Sequence, residues 1–228
     1  MRVVEIFRSI QGEGINIGRE ATFLRLAGCN LTCAFCDTKY SWGTAGKDMD
    51  IREVQKEIDV VRSPDLLVVT GGEPLLQAKE LMELGRCGYA QLALETNGTL
   101  RPPMGWTYDH IAISPKLSSA GPSVYYNMAF IQEWLSWRRW FRLKPTMEFK
   151  FVICSEDDID EAVSIINSAP IPPDVPIIFQ PDGRQENYGL ALRELKGWMD
   201  AAGYLTLRRV RVLPQLHRIM WGPDARGI

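Results

Sequence analysis

The sequence predicts an α/β fold, an incomplete TIM-type β/α barrel, from three observations. Short apolar, β-branched runs alternate with segments of helical periodicity along most of the 228 residues, the pattern of βα units around a parallel sheet. Glycine-rich or polar clusters recur where those runs end, and in a β/α barrel the strand C-termini form the face that carries chemistry. Six or seven strands are legible, too few for a closed eight-stranded barrel.

Residues 3–7 read as a first strand, followed by the loop Gln11-Gly12-Glu13-Gly14. Gly12, Gly14 and Gly18 are spaced one residue too widely for a dinucleotide fingerprint, and no helix pattern follows. Residues 21–26 form a second strand that carries Arg25 toward a cysteine-rich loop, and 42–50 form a further loop. Ile51, Val54, Ile58 and Val61 recur at helical spacing, which predicts a helix over 51–62. The run 66–69 is a buried strand ending in Thr70-Gly71-Gly72-Glu73-Pro74, with Pro74 placed to open a helix that runs to Gly85. Strands follow at 92–95, ending in Thr96-Asn97-Gly98, and at 111–114, ending in Ser114-Pro115-Lys116. A helix over 125–142, a strand over 148–153 and a helix over 157–168 come next. A strand over 175–179 ends in Gln180-Pro181-Asp182-Gly183, a helix over 186–202 is closed by Gly203, and 209–213 is the last strand.

Composition bounds the function. Apolar residues make up 46% and charged residues 24%, as in an ordinary globular chain, and 228 residues suffice for one domain over 1–228. A net charge of −2 argues against a broad polyanion-binding surface. Five cysteines, three of them clustered, do not form a disulfide framework and point to a reducing cytoplasm. The N-terminus lacks the apolar run of a signal peptide, and no run of apolar residues is long enough to span a membrane.

The chemistry centres on Cys29, Cys33 and Cys36, spaced C-x3-C-x2-C. One loop can present three such thiolates to three corners of an iron–sulfur cube. Cys87 and Cys154 are far along the chain and read as buried apolar residues, so one iron would stay open. Three cysteines with a distant fourth ligand could instead hold zinc, or the thiols could be unligated, though no second compact C-x2-C or H-x3-H is present.

With Phe35 before the last cysteine and Asp37-Thr38 after it, the loop resembles the cluster loop of radical S-adenosylmethionine enzymes, and Thr70-Gly71-Gly72-Glu73-Pro74 resembles their glycine-rich motif. Ser9 to Gly14, Arg25, Cys36-Asp37-Thr38, Glu95-Thr96-Asn97-Gly98, Ser114-Pro115-Lys116, Gln180-Pro181 and the terminal Leu213-Pro214-Gln215-Leu216-His217 together resemble the 7-carboxy-7-deazaguanine synthases. That resemblance runs in order from residue 5 to about 221. It implies a lyase that contracts the ring of 6-carboxy-5,6,7,8-tetrahydropterin with loss of ammonia, on the way to queuosine and related 7-deazapurines. It also implies a [4Fe–4S] cluster on Cys29, Cys33 and Cys36 as the catalytic centre, S-adenosylmethionine on its open iron, and Mg²⁺ at Thr38. Gln11, Gly12, Glu13, Arg25, Thr70 and His217 would contact the substrate; Arg25 offers a planar fork suited to its carboxylate. Phe35, Cys36, Asp37, Gly72, Ser114, Pro115, Lys116, Gln180, Pro181, Asp182 and Gly183 would contact S-adenosylmethionine. A flavodoxin- or ferredoxin-type electron donor and a homodimer follow from the same resemblance, with no membrane and no direct nucleic-acid partner.

Two segments stand apart. Residues 133–144 are rich in tryptophan and arginine; Trp134, Trp137 and Phe141 share a helical face with Trp140 close by, which suits core packing or a dimer contact better than a nucleic-acid or membrane surface. The tail from Trp221 to Ile228 runs beyond the short ending expected of the family, which leaves open whether it closes a pocket. Two alternatives compete. A glycyl-radical activase shares the cysteine spacing without needing Gln11-Gly12-Glu13 or Arg25, and a zinc-stabilised interaction domain would not be an enzyme at all.

Overall fold

The computed structural model describes the chain except for residues 44, 64, 104–107, 123, 125, 140–144, 223–225 and 228. Strand β1 (Arg2–Ile10) pairs antiparallel with β2 (Glu20–Leu26), with Phe7 opposite Phe23. β1 runs three residues beyond the predicted end, to Ile10, because β2 continues to pair with it, and the loop 11–19 is the hairpin connection. A two-residue strand, β3 (Lys47–Asp48), adds to the outer edge of β1 inside the predicted loop 42–50. It carries too few residues to show an alternation.

From β2 onward every pairing is parallel: β4 (Leu66–Gly71), β5 (Gln91–Thr96), β6 (His110–Ile113), β7 (Thr146–Ile153), β8 (Ile177–Pro181) and β9 (Val210–Val212) follow in order. Among the described residues the sheet has nine strands in the order β3-β1-β2-β4-β5-β6-β7-β8-β9, with β3 and β9 at its edges and the barrel incomplete. Eight of the nine fall on runs read as strands above, one more than the upper count of seven, and only the two-residue β3 carries no pattern of its own.

Helices α1 (Ile51–Val60), α2 (Ala78–Leu84), α3 (Met128–Arg139), α4 (Glu156–Ser168) and α5 (Tyr188–Ala202) fill the connections, and α6 (Leu216–Trp221), which the sequence did not announce, follows the last strand. Asp50 and Glu53 form a capping box that starts α1, Ser155 and Asp158 one that starts α4, and Gly203 ends α5 in the left-handed conformation. Trp134 and Trp137 of α3 are buried edge to face with centroids 5.6 Å apart, and the Trp134 indole donates to the Leu100 carbonyl. This part of the aromatic segment packs into the core, while Trp140 and Phe141 lie outside the described residues.

Strand alternation decides what faces inward. Leu24, Leu26, Leu67, Val69, Leu92, Leu94, Phe149, Phe151 and Phe179 join the large core beneath the helices. The alternate residues face the concave side. There Phe7, Phe23, Val68 and Ala93 form a small apolar floor. Continuing the same parity along each strand brings Arg25, Thr70, Glu95, Ser114, Lys150 and Gln180 to one cavity.

Candidate active site

That cavity, of about 250 Å³, opens at the C-terminal ends of the parallel strands. Cys29, Cys33 and Cys36 all line it, from the loop after β2. The loop is pinned from several sides. Gly28 N–H donates to the Ser41 carbonyl at 2.7 Å, Ala34 N–H to that of Ala120 at 2.7 Å, and the Arg184 guanidinium to the Ala34 carbonyl at 2.9 Å. Asn30 bridges to the loop after β5 through Asn97 and Thr99. The glycine-rich motif sits against the same loop: Gly72 N–H donates to the Leu26 carbonyl and Glu73 N–H to that of Gly28. A Cβ on Gly72 would lie 2.2 Å from the Gly28 carbonyl oxygen, so only glycine permits this approach.

Burial pushes the Cys29 and Cys33 thiols above their usual range, and a metal must displace their protons. The Trp42 indole N–H donates to Cys36 Sγ at 3.2 Å, and the Thr38 hydroxyl lies 3.5 Å from that sulfur. Cys154, remote in sequence, packs half-buried against the apolar cluster of Leu31, Cys33, Phe35 and Ala120, yet it is not among the residues that line the cavity. Cys87 is likewise half-buried rather than buried. Three convergent thiols without a fourth cysteine lining the cavity fit a [4Fe–4S] cluster with one open iron, among the described residues.

The hairpin loop supplies Gln11, Gly12 and Glu13 to the same cavity. Glu13 is joined to Lys150 of β7 and to the Gln215 side-chain amide. Burial would raise its carboxyl, but the charges of Lys150 and His217 and the bonds from Lys150 and Gln215 prevail and hold it at about 2. The Gln11 amide donates to one oxygen of Glu95 at 2.9 Å and the Thr70 hydroxyl to the other at 2.8 Å. The imidazole of His217 lies where a side chain at Gly12 would have to be, and Leu216 N–H donates to the Gly12 carbonyl. Arg25 gives its Nε to Glu5 at 2.6 Å and stacks between Phe7 and Tyr40.

Among the remaining sequence-predicted residues, Phe35, Asp37, Thr38, Gly72, Ser114, Lys116, Gln180 and Gly183 line the cavity. Lys116 bonds Ser114 Oγ at 2.7 Å, and burial lowers its ammonium pKa. The buried Gln180 Oε1 has no partner among the described residues, so it is free to accept from water or a bound ligand. Pro115, Pro181 and Asp182 are not among the lining residues, and both Asp182 oxygens are engaged by Arg184. Ligand atoms of Glu13, Asp37 and His217 lie within 4.8 Å of one another, an arrangement able to hold a divalent cation.

Sequence reasoning left Glu95, Lys150, Gln215, Trp42 and Asn97 out of the predicted contacts, although all line the cavity. A lysine between two phenylalanines of a buried strand was the available signal for Lys150. The tail also returns here: Gly227 lines the cavity and Arg226 stacks on Tyr40 at 4.4 Å.

Comparison with known proteins places these features among relatives. The pattern of the Radical SAM superfamily matches residues 24–113. The whole chain is 35% identical to the 7-carboxy-7-deazaguanine synthase of Pyrobaculum aerophilum, covering 97% of that protein. It is 31% identical to the synthase of the same name from Koribacter versatilis over all of both chains. It is 30% identical to that of Bacillus subtilis over 99% of this chain and 98% of that one. QueE from Escherichia coli has a similar fold, with a TM-score of 0.66 at 22% identity, covering 95% of this chain and 94% of that one. Alignment over the full Koribacter versatilis protein corrects one expectation: the tail is within the length of such relatives, not an extension beyond it.

Proposed function

The chain belongs to the 7-carboxy-7-deazaguanine synthase family of radical S-adenosylmethionine enzymes, and on that premise we propose that it converts 6-carboxy-5,6,7,8-tetrahydropterin into 7-carboxy-7-deazaguanine with loss of ammonia, for queuosine-type 7-deazapurine biosynthesis. The observation that carries the reading is the shared cavity, which has three cluster thiols and a buried Glu13–Lys150 pair beside Gln11, Glu95 and Arg25.

A [4Fe–4S] cluster with bound S-adenosylmethionine supplies the one-electron chemistry that breaks the substrate's C6–H bond. Cys29, Cys33 and Cys36 would hold the cluster, and Gly72, Ser114, Lys116 and Gln180, which line the same cavity, would hold S-adenosylmethionine. Glu5 fixes the plane of the Arg25 guanidinium through Nε, and the rest of that fork receives the substrate carboxylate. The Glu13 carboxylate, kept ionised by Lys150, accepts from the amino edge of the pterin, while Gln11 and Thr70, held through Glu95, orient the ring. His217 closes the pocket from α6. Thr38, whose hydroxyl oxygen suits a hard cation, would hold Mg²⁺, which would supply positive charge for the substrate carboxylate. A single domain over 1–228, a homodimer, a cytoplasmic setting and a flavodoxin- or ferredoxin-type donor belong to the same reading.

The test is anaerobic turnover of the reconstituted protein with 6-carboxytetrahydropterin deuterated at C6, S-adenosylmethionine, Mg²⁺ and a reductant. Formation of 7-carboxy-7-deazaguanine, deuterium in recovered S-adenosylmethionine and loss of rate on chelation of Mg²⁺ are expected. Protein that binds zinc and no iron, or that leaves the pterin unchanged, would overturn the reading.

A further inference from the structure

Below Glu13 lies a carboxylate that the proposed chemistry does not use. Glu148 of β7 is 2% exposed, and its Oε2 accepts the backbone N–H of Ile15 at 2.7 Å. The adjacent Gly14 has φ +71°, and a Cβ there would lie 2.0 Å from Glu148 Oε1. The turn that follows Glu13 is therefore seated directly on this carboxylate. From β6, His110 places Nε2 3.5 Å from Oε1, with its Nδ1 held by the Thr146 hydroxyl at 2.9 Å. His110 thus stands against Oε1 while the Ile15 N–H holds Oε2. Two residues along the same face of β7, Lys150 holds the side chain of Glu13.

We infer that Glu148, steadied by His110, is a positioning residue: with Lys150 it clamps the loop 11–16 at two points and so fixes where Gln11 and Glu13 stand against the substrate. The base of the loop is closed independently, by Gln11 N–H to the Arg19 carbonyl and Gly18 N–H to the Gln11 carbonyl, both at 2.7 Å. Loss of Glu148 therefore frees the tip of the loop, not the hairpin. The inference rests on the proposed pterin site, and its test separates the two.

The variants are Glu148→Ala, Glu148→Gln and Gly14→Ala. Amide hydrogen exchange over 11–18 is read without substrate, and KM for the pterin is compared with kcat and with S-adenosylmethionine affinity. In Glu148→Ala, exchange is expected to speed up over 11–18 while β6 and β7 keep their protection. KM for the pterin rises about tenfold or more, with S-adenosylmethionine affinity within about twofold of wild type. Glu148→Gln, which keeps an oxygen for Ile15, lies nearer wild type. Unchanged exchange over 11–18, or loss of exchange protection across the sheet in parallel with loss of S-adenosylmethionine affinity, overturns the inference. Should Glu148→Ala not fold, Gly14→Ala carries the test from the loop side, with the same two changes expected and wild-type values overturning it. If the wild-type protein does not turn over the pterin, the functional reading falls and exchange alone decides the clamp.

Discussion

Lys150 and Glu13 are 137 positions apart; Lys150 is buried and Glu13 largely so, and each is the other's counter-charge at the cavity wall. Lys150→Met leaves Glu13 uncompensated, and we expect a loss of about 3–5 kcal/mol in urea unfolding together with loss of pterin binding. The pH dependence has a definite sign. A carboxyl held at about 2 against an ordinary 4.5 contributes stability that is complete above pH 4.5 and drains as pH falls toward 2. In Lys150→Met that acid-side loss is smaller, which unfolding curves across the interval will measure. Trp42 acts on a different link. Its N–H bond to Cys36 Sγ favours the more negative, reduced cluster, so Trp42→Phe is expected to move the cluster midpoint potential to more negative values in a redox titration, with iron content unchanged.

At the scale of elements, the loop after β4 is tied to the loop after β5 by one buried carboxylate. Glu73 accepts from Leu75 N–H, Asn97 N–H and the Thr96 hydroxyl. Burial nonetheless dominates and pushes its carboxyl up to about 7. Between pH 4.5 and 7 the folded protein thus holds a proton that the unfolded chain has released, so this group lowers stability as pH rises, by about 3 kcal/mol in full. In cluster-free Glu73→Gln protein the decline between pH 4.5 and 7 is expected to be absent, as read from urea midpoints at each end. The helices obey simpler rules. The Asp50–Glu53 capping box starts α1 far from the cavity, and Asp50→Ala is expected to cost about 1 kcal/mol without affecting turnover.

For the whole molecule, the described residues form no closing eighth βα unit beside the cavity, and the C-terminal segment lines it instead. After β9 the chain turns through Gln215, which bonds Glu13, then His217, and returns at Arg226 on Tyr40. Tyr40 in turn donates to Glu5, the partner of Arg25, so the tail rests on the group proposed to hold the substrate carboxylate. Arg226→Ala is expected to cost about 1 kcal/mol or less in stability and to raise KM for the pterin more than it lowers kcat. Steady-state kinetics with both substrates varied will separate the two effects.

The sequence by itself determined the cysteine loop, the strand-end motifs and the alternating runs, because each depends on neighbours a few residues apart. Period-two alternation already places Thr70, Glu95 and Lys150 on the faces opposite Val69, Leu94 and Phe151. What it could not state is that those faces share one cavity. Pairing of Glu13 with Lys150, seating of Gly14 on Glu148 and the return of the tail join residues separated by more than a hundred positions. Such meetings are set by sheet order and curvature, which no local pattern encodes.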